Sequence, residues 1–278
     1  MNLDKIEVAV VIAAYNAEAT LLDALNSVLA SSIRTQVFII DDASVLPVVD
    51  VLKAKIGELP KHVEVIRRTK NGGPSPARNV AIRRAIELDL SYIAVLDADD
   101  ISHPERFAKQ LSFLKANPNV GAVGTWGNLI DEITGAVISS ISYPPVLPGG
   151  VRLGLCYDNC IINSSVMLRT SALKKVGLWN ESMYTGEDYD LFCRISKHYD
   201  IANIPEYLIS YRASSRGISR SGVRAQRYAR LQVQLRYLVQ NALYWQAWLG
   251  ILISALRVLI PTSLVERYKQ ITNRRTVF

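Results

Sequence analysis

The sequence predicts an α/β fold: a mainly parallel sheet flanked by helices, followed by a helical extension. Three observations lead there. Short continuous apolar runs alternate with amphipathic runs through the first hundred residues, polar and acidic residues follow the ends of those runs, and the character of the chain changes after Tyr211. At 278 residues, 49% hydrophobic and 21% charged, the chain is long enough for one large domain or one domain with an appendage, and its composition excludes a disordered or fibrous protein. No repeat of 20 to 50 residues points to a solenoid.

The elements follow in order. Val8 to Ala13 is a buried-type strand, Thr20 to Ala30 carries Leu21, Leu22, Leu25, Val28 and Leu29 at helical spacing, and Val37 to Ile40 is a second strand, which makes a βαβ unit. Val63 to Ile66 is the third strand. Ser75-Pro76 reads as an N-cap followed by proline at the first helical position, with the helix running to about Leu88. Tyr92 to Leu96 is the fourth strand, and a helix is expected from Pro104 to about Lys115. After a strand at Val120 to Gly124 the sequence reads as loop-rich through Gly150. Ser165 to Leu168 then gives a strand, Ser171 to Val176 a short helix, and Asp188 to His198 an amphipathic helix. The expected division is a main globular domain over residues 1–211, with halves 1–100 and 101–211, and an extension over 212–278.

Net charge sharpens that boundary. Residues 212–278 hold 12 Lys and Arg against Glu266 alone, so all of the +7 excess lies there and residues 1–211 are net acidic. Arg216, Arg220, Arg224 and Arg227 form a cationic stripe on a helix, and residues 243–260, LYWQAWLGILISALRVLI, place Tyr244, Trp245 and Trp248 ahead of Arg257. This segment fits the headgroup region of an anionic membrane surface, with packing on the domain or on a second copy, or a spanning helix, as alternatives. The acidic first part and the lack of a reader module argue against nucleic acid.

Cys156, Cys160 and Cys193 are too few and odd in number for a disulfide framework, and with His62, His103 and His198 scattered they make no metal-ligand spacing. The N-terminal apolar run is too short to span and lacks a secretory n-region, so a cytoplasmic location is expected. No GxGxxG follows the first strand, which excludes the dinucleotide-binding fingerprint.

Four polar clusters remain: Ala13-Ala14-Tyr15-Asn16, Asp41-Asp42-Ala43-Ser44, Asp97-Ala98-Asp99-Asp100, and Glu187-Asp188 ahead of Tyr189 and Asp190. In a parallel sheet such strand ends share one edge, where ligands bind. Crowded aspartates require a hydroxyl, an N–H donor or a cation, and three carboxylates in four residues make a hard-oxygen site suited to Mg²⁺ or Mn²⁺.

The motifs VVIAAYNAEATLLDALNSVLAS, FIIDDAS, NGGPSPARNVAI, AVLDADDI and GLWNESMYTGEDYDLFCRI, in this order over about residues 6 to 212, resemble an inverting family 2 glycosyltransferase with the Rossmann-like A-type fold. The resemblance implies that Ala13 and Tyr15 hold the nucleobase, that Asp42 accepts from its N–H, and that Arg78 lies near base and phosphate. It further implies Asp97 toward the ribose, Asp99 as metal ligand with Asp100 sharing either role, Glu187-Asp188 as the acidic pair with Asp188 the catalytic base, and Trp179, Tyr211 and Arg212 on the acceptor or diphosphate side. Two departures are visible: DDAS replaces the usual DDGS, and no histidine follows Tyr211-Arg212 where many relatives carry one.

The activity implied is a metal-dependent transfer of a sugar from a nucleotide-diphospho-sugar, expected to be UDP-linked, to a saccharide or lipid-linked acceptor in surface polysaccharide synthesis. The expected place is the inner face of the cell membrane; the alternatives are a non-catalytic nucleotide-sugar-binding protein, or a transferase acting on a soluble acceptor with the tail used for oligomerisation. Displacement at an anomeric carbon needs a cation on the leaving diphosphate and a base for the incoming hydroxyl, and no protein nucleophile.

Overall fold

Val8, Ala9, Val10, Val11 and Ile12 have no solvent exposure, and their alternate side chains enter two separate cores. That is the signature of a central strand covered on both faces. In the computed structural model, which describes residues 6–142, 146–212, 223–241 and 244–260, this strand is β1 (Val8–Ala14). It is followed by α1 (Leu21–Leu29), β2 (Gln36–Asp41), α2 (Val48–Ile56), β3 (Val63–Arg67), α3 (Pro74–Glu87) and β4 (Tyr92–Val95). β1 to β4 are mutually parallel, in spatial order β3-β2-β1-β4, so the chain direction across the sheet reverses between β1 and β4. A crevice opens at such a switch point, beyond the carboxyl ends of the strands.

The second half completes a mixed sheet with β5 (Ile101–Ser102), α4 (Arg106–Ala116), β6 (Val120–Ile130), β7 (Val137–Ile141), α5 (Pro148–Gly154), a 3₁₀ turn (Asn163–Ser165), β8 (Met167–Arg169), α6 (Thr170–Val176), α7 (Glu187–Ser196) and β9 (Asp200–Arg212). Among the described residues the order is β3-β2-β1-β4-β8-β6-β9-β5, with β7 beside β6. One face packs on α1, α2 and α4 through Leu21, Leu25, Leu52, Phe107 and Leu111; the other packs on α3 and α7 through Ala81, Ile82, Leu191 and Phe192.

Three local expectations change. The stretch after Gly124 is not loop: β6 runs on to Ile130, because β9, about eighty residues away in sequence, supplies its partners in pairs such as Gly127 with Ile209 and Leu129 with Tyr211. The helix expected to start at Ser75-Pro76 starts at Pro74. Gly73 is its N-cap, at φ +86°, and its N–H donates to Asp42 Oδ2 at 2.7 Å, a backbone setting that favours glycine. The strand over 200–212 had no counterpart in the periodicity, because Pro205 and polar residues interrupt its apolar pattern.

The extension forms α8 (Val223–Asn241) and α9 (Trp245–Leu259), packed on each other and on the domain. Arg236 Nη1 and Tyr237 Oη donate to buried Asp190 Oδ1 at 2.8 and 3.3 Å, which fastens α8 to α7. α9 turns Ala247, Gly250 and Ser254 inward, and a Cβ at Gly250 would come 2.0 Å from the Cys156 carbonyl oxygen. Arg227 caps α9 by donating to the carbonyls of Arg257 and Ile260. Arg216 and Arg220, which complete the expected stripe, lie outside the described residues, as do Leu243 and residues 261–278. No helix among the described residues is long and apolar enough to cross a membrane.

Candidate active site

The ends of β1 and β2 are laced together. Asn16 N–H donates to Ser44 Oγ at 3.0 Å, and Val45 N–H donates back to Asn16 Oδ1 at 2.9 Å. This fixes the turn on which Ala13 is half-buried and Tyr15 stands 52% exposed. Asp41 and Asp42 then diverge. Asp41 caps the start of α2, accepting from the N–H groups of Ser44 (2.8 Å) and Val48 (3.1 Å) and from Arg67 (2.7 Å). Asp42 accepts from Gly72 N–H at 3.1 Å, Gly73 N–H at 2.7 Å and the Arg68 guanidinium. The charge relief that the paired aspartates require comes from the protein itself. Arg68 and the two glycine amides do not stand out in the sequence, although an NGG run shortly after a strand end is a turn signal.

Arg78, on the first turns of α3 and nearly buried, joins the two acidic clusters. Its Nη2 donates to Asp97 Oδ1 at 2.8 Å and its Nη1 to Glu187 Oε1 at 3.3 Å. Burial weakens its hold on the proton, yet the carboxylates of Asp97 and Glu187 outweigh that and raise its pKa. Residues 97 and 187, ninety positions apart, thereby face one guanidinium.

The DADD run leaves β4 with Asp97 N–H donating to Ser164 Oγ at 2.9 Å. Asp99 is half-buried; burial, then the neighbouring Asp97 charge, pushes its carboxyl up to about 6 against the pull of Arg212. Asp100 is fully buried. Its Oδ1 accepts Arg212 N–H at 3.1 Å, while Oδ2 has no hydrogen-bond partner among the described residues, and burial with Asp97 and Asp99 nearby lifts its pKa well above the carboxylate range. Beneath it the fully buried Arg106 donates to Gln110 Oε1 at 3.1 Å and to the Val95 carbonyl at 2.8 Å. Burial drives this guanidinium down to about 9, and the charge of Asp100 opposes the fall. Sequence reasoning missed Arg106, although it stands on the same helical face as Phe107, Gln110 and Leu114, a position expected to be buried.

These carboxylates suit a divalent ion. Asp97 and Asp99 offer hard oxygen donors, and their mutual repulsion is what a cation would relieve. Among the described residues no three His, Cys, Asp or Glu side chains converge into a closed cage. Mg²⁺ and Mn²⁺ sites of nucleotide enzymes follow that pattern, with one or two carboxylates and the rest from substrate phosphate and water.

Glu187 and Asp188 open α7 behind the N-cap Gly186. Burial, with the Asp188 charge beside it, pushes Glu187 up to about 7 against Arg78. Asp188 accepts from Asn159 Nδ2 at 2.8 Å and from Tyr189 N–H at 2.7 Å; burial raises its pKa against the Tyr189 bond and the charge of Arg78. A desolvated carboxylate of this kind is a stronger base than one in water.

Of the three residues expected on the acceptor or diphosphate side, Arg212 is placed by its N–H on Asp100 and by Nη2 on Asp23 Oδ2 at 2.7 Å, so it faces the DADD turn. Tyr211 precedes it at the half-buried end of β9, paired in register with Leu129. Trp179 is 2% exposed, its backbone gripped by the Asn79 side chain through bonds of 3.0 and 2.8 Å. Its ring is part of the core beside α3 and does not form an open wall.

The sequence profile described as Glycosyl transferase family 2 matches residues 9–177. Among relatives, an uncharacterized glycosyltransferase of Methanocaldococcus jannaschii, MJ1057, is 26% identical across 99% of this chain and 97% of its own length. The succinoglycan biosynthesis protein ExoU of Rhizobium meliloti is 32% identical across 78% of this chain and 64% of its own. Two solved structures share the fold. One is the mannosyltransferase PcManGT from Pyrobaculum calidifontis, in complex with GDP-Man and Mn²⁺ (TM-score 0.68, 14% identity, 98% of this chain and 82% of that one). The other is S. aureus TarS 1–349 in complex with UDP-GlcNAc (TM-score 0.67, 16% identity, 84% and 67%).

Proposed function

Because the chain belongs to glycosyl transferase family 2, we propose that it is a metal-dependent inverting transferase that moves one sugar from a nucleotide-diphospho-sugar, UDP-linked, to a saccharide or lipid-linked acceptor of a surface polysaccharide. The observation that carries this reading is the Arg78 bridge, which joins Asp97 of the DADD run and Glu187 of the acidic pair through one guanidinium near the β1/β4 switch point. Succinoglycan assembly by ExoU and the nucleotide-sugar complexes of TarS and PcManGT support acceptor class and donor class respectively.

In this reading Tyr15 stacks on the nucleobase beside Ala13, Asp42 lies at its polar edge, and Arg78 and Arg212 frame the diphosphate. Asp97 faces the ribose, and Asp99 would hold Mn²⁺ or Mg²⁺, which would supply Lewis-acid stabilisation of the departing diphosphate. Asp188 takes the proton of the acceptor hydroxyl as that oxygen attacks the anomeric carbon from the face opposite the diphosphate. One in-line displacement inverts the configuration, so an α-linked donor gives a β-glycoside. The exposed outer face of α9 rests on an anionic membrane surface and brings the crevice to a lipid-carried acceptor. The protein is then peripheral on the cytoplasmic side.

The test is nucleoside diphosphate release from a panel of UDP- and GDP-sugars, with and without Mn²⁺. Metal-stimulated release from one UDP-sugar is expected; metal-independent release, or none from any donor, contradicts the reading.

A further inference from the structure

We propose that Asn159 is a positioning residue for the Asp188 carboxylate and that the C-terminal helix pair fixes Asn159 in its working place. The proposal rests on the reading of Asp188 as catalytic base.

The orientation of the Asn159 amide is dictated by its neighbours. Its Oδ1 accepts from Ile161 N–H at 3.1 Å, which leaves the Nδ2 end to face Asp188, and Nδ2 donates to Asp188 Oδ2 at 2.8 Å. The other carboxylate oxygen, Oδ1, accepts the N–H of Tyr189 at 2.7 Å. One donor on each oxygen fixes the plane of the carboxylate, and each oxygen keeps further lone-pair capacity for an incoming hydroxyl. Freely rotating, the same group would spend most of its time aimed elsewhere, and small misplacements of a reacting group are costly.

The loop that carries Asn159 is held from the side of the extension. Asn159 N–H donates to Asp158 Oδ1 at 2.8 Å, and the same oxygen accepts from Nε of Arg230 on α8 at 2.8 Å. Gln234, one turn further along α8, donates through Nε2 to the carbonyls of Cys156 (3.2 Å) and Tyr157 (2.8 Å). Gly250 brings the backbone of α9 against the Cys156 carbonyl, where a Cβ would stand only 2.0 Å away. From inside the domain, the buried Tyr189 hydroxyl donates to the Leu155 carbonyl. Residues 155–160 are therefore clamped between α7 and the helix pair, and the Asn159 amide projects from them toward the acidic pair. The helices that carry the exposed apolar face are thus built into the setting of the base.

Full-length wild type, Asp188→Asn, Asn159→Ala, Asn159→Asp and Asp158→Asn are compared by three measurements: turnover as nucleotide release from whichever of UDP-glucose, UDP-galactose and UDP-N-acetylglucosamine the wild type uses fastest with Mn²⁺, UDP affinity by calorimetry, and thermal midpoint. Asn159→Ala is expected to lower kcat by about 10- to 100-fold while UDP affinity stays within about twofold. Asn159→Asp is expected to fall at least as far, because it sets a second carboxylate against Asp188. Asp158→Asn, which loosens the link to Arg230, is expected to lower kcat less, by about threefold to tenfold, with the same split. Wild-type kcat in Asn159→Ala beside an inactive Asp188→Asn overturns the positioning role. A parallel loss of kcat, UDP affinity and thermal midpoint in Asn159→Ala also overturns it, by marking the residue as merely structural. Wild-type turnover in Asp188→Asn fells the underlying base reading, and the proposal with it.

Discussion

Arg78 lies 2.8 Å from Asp97, its guanidinium sealed from solvent while the carboxylate stays partly open to the crevice. A buried cation of this kind persists because its charge is answered on two sides, by Asp97 and by Glu187 at 3.3 Å. Removing it leaves the Glu187 and Asp97 charges facing each other. Arg78→Ala is expected to destabilise the fold by about 3 kcal/mol or more, read as a shift in the urea midpoint, and to abolish turnover. Arg78→Lys keeps the charge but not the two-pronged reach, so it should recover stability better than turnover.

Ala43 gives a prediction of the opposite sign. It stands where the family motif carries glycine, and its φ of +62° is a left-handed setting that disfavours any Cβ. Ala43→Gly is expected to stabilise the protein by about 1 kcal/mol in denaturant titration. A destabilised variant would show that the turn, and with it the Asp42 geometry, is set otherwise.

Glu187 makes stability depend on pH. Its carboxyl is raised from 4.5 to about 7, chiefly by burial, so between those values the folded protein binds more protons than the unfolded one. Stability from this group is therefore fully present below about 4.5 and is lost as pH rises through about 7. Glu187→Gln deletes the dependence. The thermal midpoint of the variant relative to wild type should rise from pH 4.5 to pH 7 and level off above it; a flat difference would contradict the assignment.

The outer face of α9 exposes Trp245 (66%), Leu252 (55%) and Leu256 (51%), with Trp248 and Leu259 on the same stripe. A contiguous exposed apolar stripe of this kind is where a membrane or protein partner is expected to bind. Replacing Trp245, Leu252 and Leu256 together by Ser should weaken sedimentation with phosphatidylglycerol-containing vesicles by about 100-fold, because burying the exposed part of each such side chain contributes about 1 kcal/mol. The thermal midpoint should hardly move. Unchanged vesicle binding contradicts the membrane reading, and a wild-type dimer that becomes monomeric in the variant assigns the face to a second copy instead.

Local pattern made the first half of the fold readable, because β1 to β4 are buried parallel strands with continuous apolar runs, and their polar ends fall at the switch point. β6 and β9 were harder. They pair with each other across about eighty residues, and the strand character of Trp126 to Ile130 comes from that partner and not from its own alternation. In the site, Asp42, Asp97, Asp99 and Asp188 announce themselves as clustered charges at strand and helix ends. Arg106 and Asn159 do not, because a single buried cation and a loop amide acquire meaning only from what they touch. Trp179 shows the reverse case: the motif points to a wall residue, and the Asn79 clamp draws the ring into the core.

The central claim is that one carboxylate, Asp188, deprotonates the acceptor in a crevice whose donor half is built separately. Asp188→Asn tests it in a single comparison of UDP affinity with turnover. Expected are UDP binding within about twofold of wild type and turnover reduced by about 100-fold or more, the usual contribution of a general base. Turnover at the wild-type level with that substitution would contradict the claim outright.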